Sequence, residues 1–172
     1  MQENKPISHF VAGLILAAIL IVYSTALQLL NMGQNKAMGW ISYCILIGGL
    51  ILFINLYAKA KNYQLTFGGL FAYGFKTTAI TTLIVVICLV IFFVAFPDMK
   101  AKILDTMRKG MEESGKMTDD QIDQFVGGFS KNFLLITAGG TLFMYLLFGA
   151  IASLIGAAVT KKVPVNPLDQ LS

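Results

Sequence analysis

Four long apolar runs, separated by polar stretches of very unequal length, organise this chain. The first, Phe10 to Leu30, is interrupted by only three clearly polar residues, Ser24, Thr25 and Gln28. It reaches the roughly twenty apolar residues that a bilayer crossing requires. The second, Met38 to Tyr57, carries Trp40 and Tyr57 near its two ends, where aromatic rings suit the membrane–water interfaces. The polar turn between them, "NMGQNK", is short enough to predict an antiparallel hairpin. In the third, Thr66 is placed to cap a helix from Phe67 to Phe96, which Pro97 ends. The fourth runs from Phe133 to Val159 and is followed by Lys161 and Lys162, then a tail containing Pro164 and Pro167. The expected spans are about residues 10–30, 38–57, 70–96 and 133–159. A secretory signal competes for the first run, since Ser24 and Ala26 suit a cleavage site. The run is long for such a signal, however, and Glu3 offsets the one leading basic residue, Lys5, which favours an uncleaved anchor.

The stretch from Pro97 to Asn132 has a different period. Met99, Ile103, Met107 and Met111 share one helical face, and Asp105 and Lys109 are spaced to pair across a turn. "ESGKMT" breaks this helix at Gly115. Thr118 then opens a second helix, with Gln121 completing a capping box. Ile122, Phe125, Val126 and Phe129 follow as an apolar stripe. Such a hairpin would lie on the membrane surface, on the rim of the bundle or against a partner, and packing on its own bundle is the expected arrangement. The pattern therefore predicts an all-α membrane protein, one membrane domain over residues 1–172. Its four transmembrane helices carry an amphipathic helical hairpin, residues 97–132, between spans three and four.

Composition agrees: 56% of residues are hydrophobic, 13% are charged, and the mean hydropathy is +0.73. Soluble domains carry roughly 25% charged residues. The net charge of +4 comes without a basic, aromatic-interleaved stripe, so no nucleic-acid partner is expected. Cys44 and Cys88 each sit mid-span and His9 precedes the first run. That is too few ligands for a metal site or a disulfide framework. The cysteines read as small apolar groups inside the bundle, and His9 as an interfacial imidazole.

No span contains an acid, no phosphate-binding loop is present, and the loop acids alternate with bases as on a solvated helix. No catalytic residue, no cofactor and no enzymatic activity are expected. Lys76 stands at the front of the third span, where its stem can snorkel to the headgroups. Gly149, Ala152, Ser153 and Gly156 share one face of the last span and are the helix-packing candidates, with Thr78, Thr81 and Thr82 as a comparable stripe on the third. Two functional classes follow. In the first, a non-enzymatic membrane protein acts by contact with itself, with lipid or with another membrane protein. In the second, a transporter or channel subunit passes a small solute along a polar path near Lys76, Gln28 and Thr81.

Four spans put both termini on one side. Lys5, Lys59, Lys61, Lys76, Lys161 and Lys162 flank the spans there, with only Glu3 and Asp169 as acids. Lys36, Lys100, Lys102, Arg108, Lys109, Lys116 and Lys131 lie on the other side, mixed with the loop acids. The first set sits in short segments, which places both termini in the cytoplasm of a cell inner membrane.

Three pieces of the chain also carry a resemblance: "YQLTFGGLFAYGFKTT" before the third span, "MEESGKMTDDQIDQF" in the loop, and a Gly-rich last span ending in "KK". In these and in the order of its spans, nearly the whole chain resembles an uncharacterised membrane-protein family found mostly in Bacteroidota, the domain of unknown function DUF4199. The resemblance implies a four-span bundle with a helical loop and brings no catalytic or cofactor-binding residue.

Overall fold

In the computed structural model, residues 5–163 are described except 31 and 34, so Glu3, Pro164, Pro167 and Asp169 lie outside the described residues. Helix α1 (His9–Leu29) begins where the Ser8 hydroxyl accepts the Val11 N–H at 3.2 Å. Helix α2 (Lys36–Ala60) begins at Asn35, whose side-chain carbonyl accepts from the Ala37 N–H at 3.0 Å. It continues a turn past the expected end at Tyr57, with Lys59 placed where a cation complements the helix dipole. The connection to the next helix takes the rare left-handed conformation twice, at Asn62 (φ 52°) and Tyr63 (φ 59°). The Tyr63 carbonyl there accepts from the Val163 N–H at 2.9 Å, tying this loop to the end of the last helix.

Thr66 caps α3 (Phe67–Ala95) through a 3.1 Å bond from the Gly69 N–H, and Pro97, which has no N–H to give, ends it. A single residue, Phe96, separates α3 from α4 (Pro97–Ser114). Gly115 stops α4 in the left-handed conformation, φ 61°. The Thr118–Gln121 capping box then starts α5 (Asp119–Lys131). A single residue again, Asn132, separates α5 from α6 (Phe133–Val159).

Helices α1, α2, α3 and α6 are each long and apolar enough to cross a membrane, and the described residues contain no strand: this is an all-α membrane protein. The central pair is α3 with α6, antiparallel and in the most extensive contact; α1 packs on α3 and α2 packs on α6. The expected α1–α2 hairpin is present as a connection but weak as a contact, because each helix spends its packing face on a different central helix. A bond from the Tyr23 hydroxyl to the Met38 carbonyl, 2.9 Å, joins the two near their turn. Leu16, Leu20, Leu46, Leu50, Ile54 and Leu70 fill the core. Large apolar side chains such as Val22, Leu83, Ile91 and Phe143 cover the outer surface, as lipid-facing positions should.

Small residues set how closely α3 and α6 approach. A β-carbon on Gly149 would lie 2.1 Å from Thr78 Cγ2, and one on Gly74 would lie 2.7 Å from Ser153 Oγ. Ala152, Ser153 and Gly156 are buried on the same face, Gly156 against Ile54 of α2. The stripe closes the bundle internally.

The hairpin departs from the expected packing on the bundle. Helices α4 and α5 pack on each other and meet the bundle mainly at their junctions with α3 and α6. Ile122 and Val126 are buried, while Met99, Ile103, Met107 and Met111 are half-buried. An Arg108–Asp123 ion pair crosses between the helices. The apolar face of α4 is thus only partly covered. Phe125 breaks from the stripe and is exposed. On the outer face, Lys109 sits 2.7 Å from Asp105; the hydrogen bond, then the charge, holds the lysine above its usual pKa.

Candidate functional site

Because α1 packs on α3 without an extensive contact to α6, a gap opens between α1 and α6 toward the hairpin end of the bundle. It is a cleft of about 460 Å³. Its walls are Ser24, Thr25 and Gln28 from α1, Cys88 and Phe92 among others from α3, and Thr141 and Tyr145 from α6. The helices place these side chains by spacing. Ser24, Thr25 and Gln28 stand at i, i+1 and i+4, on one side of α1, and Thr141 and Tyr145 stand at i and i+4 on α6. Toward the opposite end of the bundle α1 and α3 meet closely, and the Thr81 hydroxyl donates to the Gly13 carbonyl at 3.2 Å.

The polar lining is unusual for its lack of partners. Hydroxyls in an apolar helix normally bond back to a carbonyl one turn earlier. Thr77 does so to Tyr73 at 2.9 Å, Thr78 to Gly74 at 3.0 Å, and Ser153 to Gly149 at 2.7 Å. Among the described residues, no such bond engages the side chains of Ser24, Thr25, Thr141 or Gln28. The Gln28 amide instead folds over the turn beside Gly33. On α3, one turn before Val85 of the cleft wall, the buried hydroxyl of Thr82 is likewise without a partner among the described residues. In a setting without water, spare donors and acceptors of this kind favour a neighbour that can bond with them.

The three residues of the expected polar path are not brought together. Lys76 is exposed on the outer face of α3, a position open to snorkelling. Thr81 is fully buried and its hydroxyl is shared between the Thr77 and Gly13 carbonyls. Gln28 lies fifteen residues beyond Gly13 on α1, about 20 Å along the helix axis. Of the three, only Gln28 lines the cleft. The helix-packing candidates Gly149, Ala152, Ser153 and Gly156 do stand together, but inside the bundle, where no second chain reaches them.

Thr141, Tyr145 and Cys88 are cleft residues that the pattern of apolar runs does not single out. The α1 triplet gave a usable signal in its spacing; for the α6 pair, nothing in the sequence says which helix they face. Thr77, buried beside Thr78, was also missed. The cysteines correct another expectation: Cys44 is exposed on the outer face of α2, and Cys88 is half-buried at the cleft. In apolar helices both faces can be greasy, so polarity alone does not sort inner from outer positions. His9 is exposed at the first residue of α1. Among the described residues, no three His, Cys, Asp or Glu side chains come together.

A family model described as "Protein of unknown function (DUF4199)" matches residues 12–162. No curated protein and no solved structure matches the chain.

Proposed function

Because the chain belongs to the DUF4199 family, whose description assigns no chemistry, we propose from the cleft that it works without catalysis as a docking subunit of the cell inner membrane. Its multi-pass bundle holds a transmembrane helix of another membrane protein against α1 and α6. One observation carries this reading: Ser24, Thr25, Gln28 and Thr141 present unengaged polar groups on the walls of an otherwise apolar cleft. A helix bearing small or polar residues would complete those bonds and fill the gap. The internal small-residue stripe supports a partner of this kind over self-association through α6, since that face is already spent. No cofactor is invoked, and the solute path through Lys76, Gln28 and Thr81 gains no support, because the three do not share a cavity.

The test places a photo-crosslinker at Thr25 in the full chain in its native membrane. Mass spectrometry of the adduct should identify a second membrane protein. The double variant Ser24→Ala, Thr25→Ala should weaken its co-purification by roughly tenfold, since interhelical hydrogen bonds in membranes contribute about 0.6 kcal/mol each. Adducts only with lipid, or only with a second copy of this chain, would overturn the reading.

The same proposal places both termini in the cytoplasm and the α4–α5 hairpin outside it, because the cations flanking the spans lie on the terminal side with few acids. A Lys116→Cys thiol at the hairpin tip should then be labelled on intact cells by an impermeant maleimide; protection there would invert the orientation.

A further inference from the structure

A second cavity, of about 370 Å³, lies where the hairpin joins the bundle, and we propose that it binds the headgroup of an anionic phospholipid from the surrounding leaflet. This inference is independent of what occupies the α1–α6 cleft.

The location comes from the two single-residue breaks. On one side of Phe96 and Asn132, the adjoining ends of α3 and α6 are predominantly apolar; on the other, α4 and α5 are amphipathic. The breaks therefore mark the edge of the hydrocarbon, where lipid phosphates lie. Two cations from different helices converge at that level. Lys100 comes from the first turn of α4 and Lys131 from the last residue of α5, and both line the cavity with Ser130 and Asn132.

The electrostatics of this pocket are one-sided. No carboxylate lines it. Neither lysine is ion-paired within the described residues, where Arg108 pairs with Asp123 and Lys109 with Asp105. Lys100 is half-buried with its Nζ 5.6 Å from the centre of the Phe133 ring, which steadies the ammonium without neutralising it.

The pocket floor favours a lipid over a free anion. Val94 and Leu135 line the cavity and are 68% and 74% exposed, so they continue it as an apolar track down the outside of α3 and α6. A phosphate held by the two lysines would lead its acyl chains onto that track. Basic pockets at helix ends on a membrane surface recognise anionic headgroups in this way.

The experiment uses the full chain in a neutral detergent, with dioleoyl phosphatidylglycerol, dioleoyl phosphatidylcholine or sodium phosphate added, and reads bound lipid by native mass spectrometry. Phosphatidylglycerol should be retained about thirtyfold better than phosphatidylcholine, from roughly 1 kcal/mol for each of the two lysines at a membrane surface. Lys100→Gln with Lys131→Gln should remove the preference while the circular-dichroism melt stays unchanged. Lys59→Gln with Lys61→Gln, at the opposite end, should leave it intact. Equal retention of both lipids by the unmodified chain, an undiminished preference in the Lys100/Lys131 variant, or displacement of lipid by millimolar phosphate would each overturn the proposal. If the double variant fails to fold, single Lys100→Arg and Lys131→Arg chains decide: retained preference upholds a charge-read site, and lost preference in both refutes it.

Discussion

Gly149→Leu is expected to unfold the bundle, not to dissociate an assembly of intact bundles. A β-carbon at this position would stand 2.1 Å from Thr78 Cγ2 and 2.6 Å from Thr78 Oγ1, on a side chain that is itself fully buried. Thr78 has little room to yield, because its β-branched side chain is stiff and its hydroxyl is bonded to the Gly74 carbonyl at 3.0 Å. Relief requires α3 and α6 to separate, and theirs is the most extensive contact in the molecule. Overpacking of this severity exceeds the usual range and should destabilise the fold by more than about 3 kcal/mol. Gly140→Leu on the same helix is the matched control, since nothing lies within 4 Å of a β-carbon there. Thermal denaturation in mild detergent, with molar mass by light scattering, separates the outcomes. A variant that melts like the unmodified chain but changes mass would show that the stripe serves assembly after all.

The second large effect is local. Ile122→Asp should destroy the α4–α5 hairpin while leaving the four-helix bundle folded. Ile122 is 1% exposed and, with Val126, forms the buried part of α5. An unpaired carboxylate there has no cation facing it from the apolar side of α4, where Met99, Ile103, Met107 and Met111 lie. Burying an isolated charge is prohibitive, and two short helices with one apolar seam have little stability to lose. The bundle is insulated because the hairpin meets it mainly at the two junctions. Limited proteolysis should cut residues 97–132 at least tenfold faster in the variant, and the melting of the apolar helices should not move. A matching loss of bundle stability would mean that the hairpin braces the bundle.

These two variants also separate what the sequence makes legible from what it does not. The block pattern of apolar runs, Thr66, Pro97, Gly115 and the Thr118–Gln121 pair fix where helices begin and end, because caps and breakers act through neighbours along the chain. The packing seam of α4 with α5 is readable too, since a polar face in water defines the apolar one. Between apolar helices that contrast disappears. Neighbours are then decided by shape, and shape depends on pairs such as Gly149 with Thr78 that lie far apart in sequence. For the same reason the α1–α6 cleft was out of reach: it exists because α1 settles on α3, a preference that no residue of α1 announces. Lys76 was legible for the opposite reason, since a cation in an apolar run has few places to go.

The hydroxyls on the inner faces of α3 and α6 have a further consequence. Thr77, Thr78 and Ser153 each satisfy themselves within their own helix, and the hydroxyl bonds that leave α3, from Tyr73 to the Ile7 carbonyl and from Thr81 to the Gly13 carbonyl, go to α1 or the residues just before it. The central contact is therefore held by fit, without a polar lock between α3 and α6 among the described residues. Evolution on that face is constrained in bulk and free in polarity. Exchanges among alanine, serine and cysteine at Ala152 and Ser153 are the drift it permits, and an added β-carbon at Gly74 or Gly149 is the step it forbids.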